Sequence, residues 1–232
     1  MKECIILAGG FGTRLQSVVS DVPKCMAEVA GHPFLYYLFE YLEKEQFDHI
    51  VLSLGYKSSV VIDWLQTQKR SYKVSYVVES TPLGTGGAIK LAAEKIIGDE
   101  FFVLNGDTFF RVNTEVFYQF YQAKNADIAV ALKPMREFDR YGSVLQDGTG
   151  RISHFKEKQY TSYGLINGGV YIINKSIFSK LSLGDKFSFE KDVMESYLDK
   201  LFVYGYSEDT YFIDIGIPSD YEKANEDFQK IF

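Results

Sequence analysis

From Cys4 to Leu132 the chain alternates short β-branched or aromatic runs with amphipathic stretches, and this rotation limits the fold more than any other feature. Cys4–Ala8, His49–Leu54, Val74–Val78, Phe101–Leu104 and Asp127–Leu132 read as strands. Phe34–Lys44, Ser58–Gln68, Gly87–Ile97 and Thr114–Lys124 read as helices, the first through Leu35, Leu38, Phe39 and Leu42 at helical spacing. Strand and helix in this order predict right-handed βαβ units, hence a parallel sheet covered by helices on both faces. Ligands of such sheets sit outside the carboxyl ends of the strands, so the residues just after each strand run are the candidates for chemistry.

Beyond Pro134 the runs shorten and glycines interrupt them. Gly142–Leu145, Arg151–Lys156 and Gly169–Ile173 read as strands added antiparallel to the same sheet. Lys175–Leu181 and Phe189–Leu198 read as helices, Phe202–Tyr206 and Tyr211–Ile215 as strands. Pro218–Phe232 reads as a terminal helix with Ser219 and Asp220 in its first turn. No linker, repeat or low-complexity segment divides the chain. The expectation is one domain over 1–232, whose texture changes at about 133–134.

At 46% hydrophobic and 24% charged residues the composition is globular, and 17 Tyr and 19 Phe supply core and cleft wall. A net charge of −6 without a basic run argues against nucleic-acid or anionic-membrane partners. No apolar run approaches the ~20 residues that span a bilayer, and Met1-Lys2-Glu3 leads straight into a strand, so a cytoplasmic location is expected. Cys4 and Cys25 have no metal-ligand spacing and are expected to be free thiols there.

After Leu7 and Ala8, the first strand run opens into Gly9-Gly10-Phe11-Gly12-Thr13-Arg14. This is neither the Gly-x-Gly-x-x-Gly of dinucleotide folds nor a P-loop. Its glycines allow close backbone approach and aim N–H groups at phosphate oxygens. Arg14 adds a fork matched to phosphate, and Lys24, in Pro23-Lys24, is a second cation within reach of the same anion. Leu-Ala-Gly-Gly-x-Gly-Thr-Arg-Leu followed by Pro-Lys resembles the signature of the sugar-phosphate nucleotidyltransferases, and the resemblance extends over most of the chain. It implies a Rossmann-like three-layer α/β/α fold with a mixed, mainly parallel sheet. The implied reaction joins a nucleoside triphosphate to a sugar 1-phosphate and releases pyrophosphate.

The other motifs take their roles from the same resemblance. Asp107, closing Phe101-Phe102-Val103-Leu104-Asn105-Gly106-Asp107, and Asp214, in Phe212-Ile213-Asp214, stand at strand ends and are similar to the family's metal pair. Mg²⁺ is the implied cofactor, since it favours carboxylate oxygen completed by phosphates and waters. Asn105 and Gly106 join the nucleotide site. So does the segment Glu79 to Ala88 with Glu79, Pro82, Leu83, Gly84 and Thr85, whose glycines suit close approach to a flat base. Gly142, Glu157, Lys158, Asn167, Gly168 and Glu190 resemble the family's sugar-phosphate site. Lys158 there pairs with the sugar phosphate, Glu157 and Glu190 accept from sugar hydroxyls, and Asn167 with Gly168 faces the ring.

The implied catalytic residues are Arg14, Lys24 and Asp107. The sugar phosphate is already anionic, so no general base is required, and the barrier is charge repulsion. His32, His49 and His154 read as structural or exposed. Cys25 stands where the family usually has proline. The stretch Arg14–Pro23, the run Phe187–Asp192 and the segment Asp214–Tyr221 look most like the guanylyltransferases of D-glycero-α-D-manno-heptose 1-phosphate, which serve surface polysaccharide. Glu79–Gly84 is compatible with guanine without demanding it. Mannose 1-phosphate with GTP, or a uridylyl or thymidylyl transfer, stays open, as does a homo-oligomer. A catalytically silent regulatory homologue would need Arg14, Lys24 or Asp107 broken, and none is. A dinucleotide oxidoreductase would need an acid closing the second strand, which ends instead in Leu54-Gly55-Tyr56.

Overall fold

The structure is a computed structural model that describes residues 1–10, 19 and 21–232. Its strands are β1 (Glu3–Ala8), β2 (Glu28–Val29), β3 (His32–Pro33), β4 (His49–Leu54), β5 (Lys73–Val78), β6 (Glu100–Asn105) and β7 (Thr108–Phe110), followed by β8 (Ile128–Phe138), β9 (Ser143–Gln146), β10 (Ile152–Phe155), β11 (Thr161–Asn174), β12 (Val203–Ser207) and β13 (Phe212–Asp214). The helices are α1 (Phe34–Lys44), α2 (Ser58–Thr67), α3 (Gly84–Ala92), α4 (Thr114–Lys124), α5 (Ile177–Lys180) and α6 (Pro218–Ile231).

Among the described residues a nine-stranded sheet runs β10-β9-β11-β6-β1-β4-β5, with β8 on β11 and β12 on β8. β6, β1, β4 and β5 are parallel, as the strand and helix rotation predicts. Strand alternation sorts the side chains into two cores. Cys4, Ile6, Leu52 and Leu104 face α1, α4 and α6, whereas Ile5, Val51 and Val103 face α3 and α5. The result is the expected three-layer α/β/α arrangement with a mixed sheet, and strands from both halves of the chain share that sheet.

Several boundaries depart from the sequence reading. α3 begins at Gly84 rather than Gly87 and gives way to a 3-10 turn at Ala93–Lys95. β8 continues through Pro134, which lies opposite Leu165. β12 covers β8 only as far as Leu132, so Pro134 falls where the second flank is open and a missing N–H is tolerated. β12, a strand whose direction the sequence left open, is parallel to β8. β11 is fourteen residues long because Gly164, Gly168 and Gly169, which read as breaks, lie within it. Its register shifts between Asn167 and Tyr171, with Gly169 at φ +71°. A side chain on Gly168 would strike the Phe110 ring, and one on Gly169 the Asn105 amide, so this bulge admits two neighbours that Cβ atoms would exclude.

β13 leaves the main sheet and forms an antiparallel ribbon with β7, a three-residue strand too short to announce itself. Phe189–Glu195 is a π-helical turn. Of the histidines, His49 is buried against Glu3, His32 stacks on Tyr36 at 4.2 Å between ring centres, and His154 is exposed on β10. No helix among the described residues is long and apolar enough to cross a membrane.

Candidate active site

The parallel strands all end at one edge, and a cavity of about 580 Å³ lies there. Its floor is Leu7, Ala8, Gly9 and Gly10 after β1, Ser53 from β4, Glu79 after β5, and Asn105, Gly106 and Asp107 after β6. Pro82, Gly84, Thr85 and Ala88 form one wall. β1 is the switch point of the sheet, with β4 on one side and β6 on the other, which is where an open α/β sheet places its ligand. The sequence reading missed Ser53, Thr108 and Gly216, which carry no motif of their own. Gly12, Thr13 and Arg14 lie outside the described residues.

The β7–β13 ribbon sets Asp214 opposite Thr108, beside Asp107, and the Ile215 N–H donates to the Asp107 carbonyl at 3.0 Å. A 3-10 turn at Lys24–Met26 brings Lys24 against both carboxylates. Its Nζ stands 2.6 Å from Asp107 Oδ2 and 3.5 Å from Asp214 Oδ1. Asp214 also accepts from the Gly216 N–H at 2.8 Å. Burial, and then the charge of Asp107, push the Asp214 carboxyl above its usual range against the pull of Lys24. One cation thus faces two crowded carboxylates. Cys25 lines the same cavity, where burial and the nearby Asp107 charge push its thiol up to about 12, so it is a neutral wall group.

A second cavity of about 370 Å³ adjoins the first and shares Asn105, Thr108, Asp214 and Glu190 with it. Its place follows from strand register. β6 pairs with β11 up to Val170, and β9 pairs on the same flank from Ile166, so the flank is open at Asn167–Gly169. Gly142, Glu157, Lys158, Asn167, Gly168 and Glu190 all line it. Asn167 is largely committed within the protein, donating Nδ2 to the Tyr171 hydroxyl at 2.9 Å and accepting from the Gly169 N–H at 3.0 Å. The sequence reading missed Lys156, Glu195 and Phe212 as lining residues, whereas Lys191 lies in the run Phe187–Asp192 that it singled out. Glu190 and Glu195, five residues apart, both line the cavity, which suits the i to i+5 register of the π-helical turn.

The glycines opening α3 have a different reason from the one expected. Gly86 and Gly87 N–H groups donate to the Phe187 carbonyl at 3.0 and 3.3 Å, and a Cβ on either glycine would collide with residues 185–187. Close approach there is by a segment of the protein itself. Leu83 is not part of the cavity wall; its N–H donates to Glu79 Oε2 at 2.9 Å and its carbonyl accepts from Phe187.

Two joined cavities at a strand-end edge, with Asp214 shared between them and Lys24 and Asp107 beside it in the first, suit a reaction between two phosphate-bearing substrates. The Nucleotidyl transferase family model matches residues 3–231. The chain is a member of the nucleotidyltransferase family. This nucleotidyltransferase is 48% identical over 228 residues to the D-glycero-alpha-D-manno-heptose 1-phosphate guanylyltransferase of Aneurinibacillus thermoaerophilus, with 98% of each chain covered. It is 43% identical to the enzyme of the same name from Campylobacter jejuni, over 94% of this chain and 96% of that one. The crystal structure of HddC from Yersinia pseudotuberculosis complexed with GMP-PN superimposes with a TM-score of 0.87 at 41% identity, covering 98% of this nucleotidyltransferase and 100% of that chain.

Proposed function

We propose that the enzyme transfers a guanylyl group from GTP to D-glycero-α-D-manno-heptose 1-phosphate, releasing pyrophosphate and giving GDP-heptose. The observation that carries the reading is Asp214, which lines both cavities and meets Lys24 beside Asp107. The names of the relatives at 48% and 43% identity support the choice of base and sugar.

In this reading the nucleotide occupies the strand-end cavity and the sugar 1-phosphate the second. A phosphate oxygen of the sugar 1-phosphate attacks the α-phosphorus, and the bond from that phosphorus to the oxygen bridging it to the β-phosphate breaks. The attacking oxygen carries its own charge, so no proton is removed. Lys24 is placed to offset charge between the α-phosphate and the incoming phosphate as the bond forms. Arg14 takes the charge of the leaving pyrophosphate. Asp107 and Asp214 fit Mg²⁺, because two crowded carboxylates are hard oxygen donors and Lys24 alone neutralises only one of them. When bound, the ion supplies charge neutralisation and orientation of the phosphates.

The test is pyrophosphate release from GTP, ATP, UTP, CTP and dTTP against heptose, mannose and glucose 1-phosphates. GTP with the heptose 1-phosphate is expected to give the highest kcat/KM. A preference for mannose 1-phosphate, UTP or dTTP replaces the substrates in this reading and leaves the mechanism in place.

A further inference from the structure

Glu190 lines both cavities, and its carboxylate is held by hydroxyl donors. From the nucleotide side, the Thr85 hydroxyl in the first turn of α3 donates to Glu190 Oε2 at 2.6 Å. The same hydroxyl accepts from the Phe189 N–H at 2.9 Å, which fixes its rotor. Its only proton is therefore committed to Glu190. Ser188 Oγ donates to the same carboxylate oxygen at 3.0 Å. On the sugar side, the Tyr171 hydroxyl lines the same cavity as Glu190 and accepts from Asn167 Nδ2 at 2.9 Å. Directed bonds thus run from the start of α3 to Glu190, which faces the second cavity beside Tyr171 and Asn167.

We propose that Thr85, although it stands in the wall of the nucleotide cavity, is a positioning residue for the sugar 1-phosphate and acts through Glu190. The proposal rests on the reading that the second cavity takes the sugar 1-phosphate. Hydrogen bonds to a charged carboxylate are strong and directional, so the Thr85 proton decides which way the Glu190 oxygens point. A nucleotide that settles the first turn of α3 also settles that carboxylate, which couples the two substrate sites.

The experiment measures steady-state KM for each substrate, with the other saturating, in Thr85→Val, Thr85→Ser, Glu190→Gln and the Thr85→Val/Glu190→Gln double variant. Valine keeps the branched shape and removes the proton. Thr85→Val is expected to raise KM for the sugar 1-phosphate about tenfold, the loss of one charge-assisted bond. Its KM for the nucleotide should move by less than about twofold, and Thr85→Ser should stay within about twofold of wild type for both substrates. On the Glu190→Gln background, Thr85→Val should add little. A raised KM for the nucleotide with that for the sugar unchanged makes Thr85 a nucleotide contact and overturns the proposal. So do unchanged KM values for both substrates, or full additivity in the double variant. If the valine variant does not fold, Thr85→Ala takes its place under the same criteria. The assays use whichever pair wild type turns over best, so a different preferred sugar overturns the heptose reading and leaves this test standing. Absence of turnover with every sugar 1-phosphate overturns both.

Discussion

The two edges of the parallel sheet each bury charged side chains, and they treat them in opposite ways. At the carboxyl edge Lys24 faces Asp107 and Asp214, and the Asp214 carboxyl is pushed upward by burial and by its acidic neighbour. At the amino edge Glu3 is 1% exposed and accepts from the Gly98 N–H at 2.6 Å, the Ile97 N–H at 3.0 Å and His49 Nδ1 at 2.8 Å. His49 Nε2 in turn bonds Ser75 Oγ at 3.0 Å. Burial raises the Glu3 carboxyl too, but the Gly98 and Ile97 amides and His49 outweigh it and hold the group below its usual range. Burial alone does not decide the state of a buried acid; the number of donors aimed at it does. The amino edge is a completed network that stabilises the fold. Among the described residues the carboxyl edge sets one lysine against two aspartates, which suits a site that has still to receive a cation and phosphates.

The sharpest break of this contrast is Asp107→Asn. Turnover should fall by about a thousandfold or more, roughly 4 kcal/mol of transition-state stabilisation. Tm should hold or rise, since one of two crowded charges is gone; pyrophosphate release and thermal melts read the two outcomes. Glu3→Ala is the mirror experiment and should cost about 3–5 kcal/mol of stability, because it leaves the buried His49 and two part-buried amides without their acceptor. Its kcat should match wild type at temperatures where it is folded. The pH profile carries a sign as well. The fold depresses the Glu3 carboxyl, so its contribution is complete above the unfolded range and is lost as pH falls through the folded value. Denaturant melts across acidic pH should therefore bring wild type toward the alanine variant.

Lys24→Ala comes next. It should lower kcat by about a hundredfold and change the nucleotide KM far less, because the charge is needed most as the new bond forms. Equal losses in both would mark Lys24 as a binding residue only. The smallest effect is Ser75→Ala at the far end of the Glu3 network, about 1 kcal/mol of stability by chemical denaturation, with no change in kcat. A loss as large as that of Glu3→Ala would mean that Ser75, rather than the amides, sets the state of the pair.

The layers and the site edge were legible because both are written in contiguous residues. Period-two runs such as Cys4–Ala8 and helical stripes such as Phe34–Lys44 select their faces locally. An acid placed just after a buried strand, as Asp107 is after β6, must emerge at the ligand edge. Neither strand of the β7–β13 ribbon could be paired from its own three residues, yet that ribbon sets Asp214 beside Asp107. The π-helical turn that presents Glu195 was hidden for a related reason, since it packs against α3, a segment distant in the chain. The parallel direction of β12, the bulge at Gly168–Gly169 and the bond from Thr85 to Glu190 likewise join segments far apart in the chain. The sequence by itself determined which segments become strands and helices and which face of each is buried, because side-chain periodicity acts within a segment. Only the tertiary structure decided which distant segments meet, because those pairings depend on the shape and unsatisfied hydrogen bonds of partners that no single stretch of sequence contains.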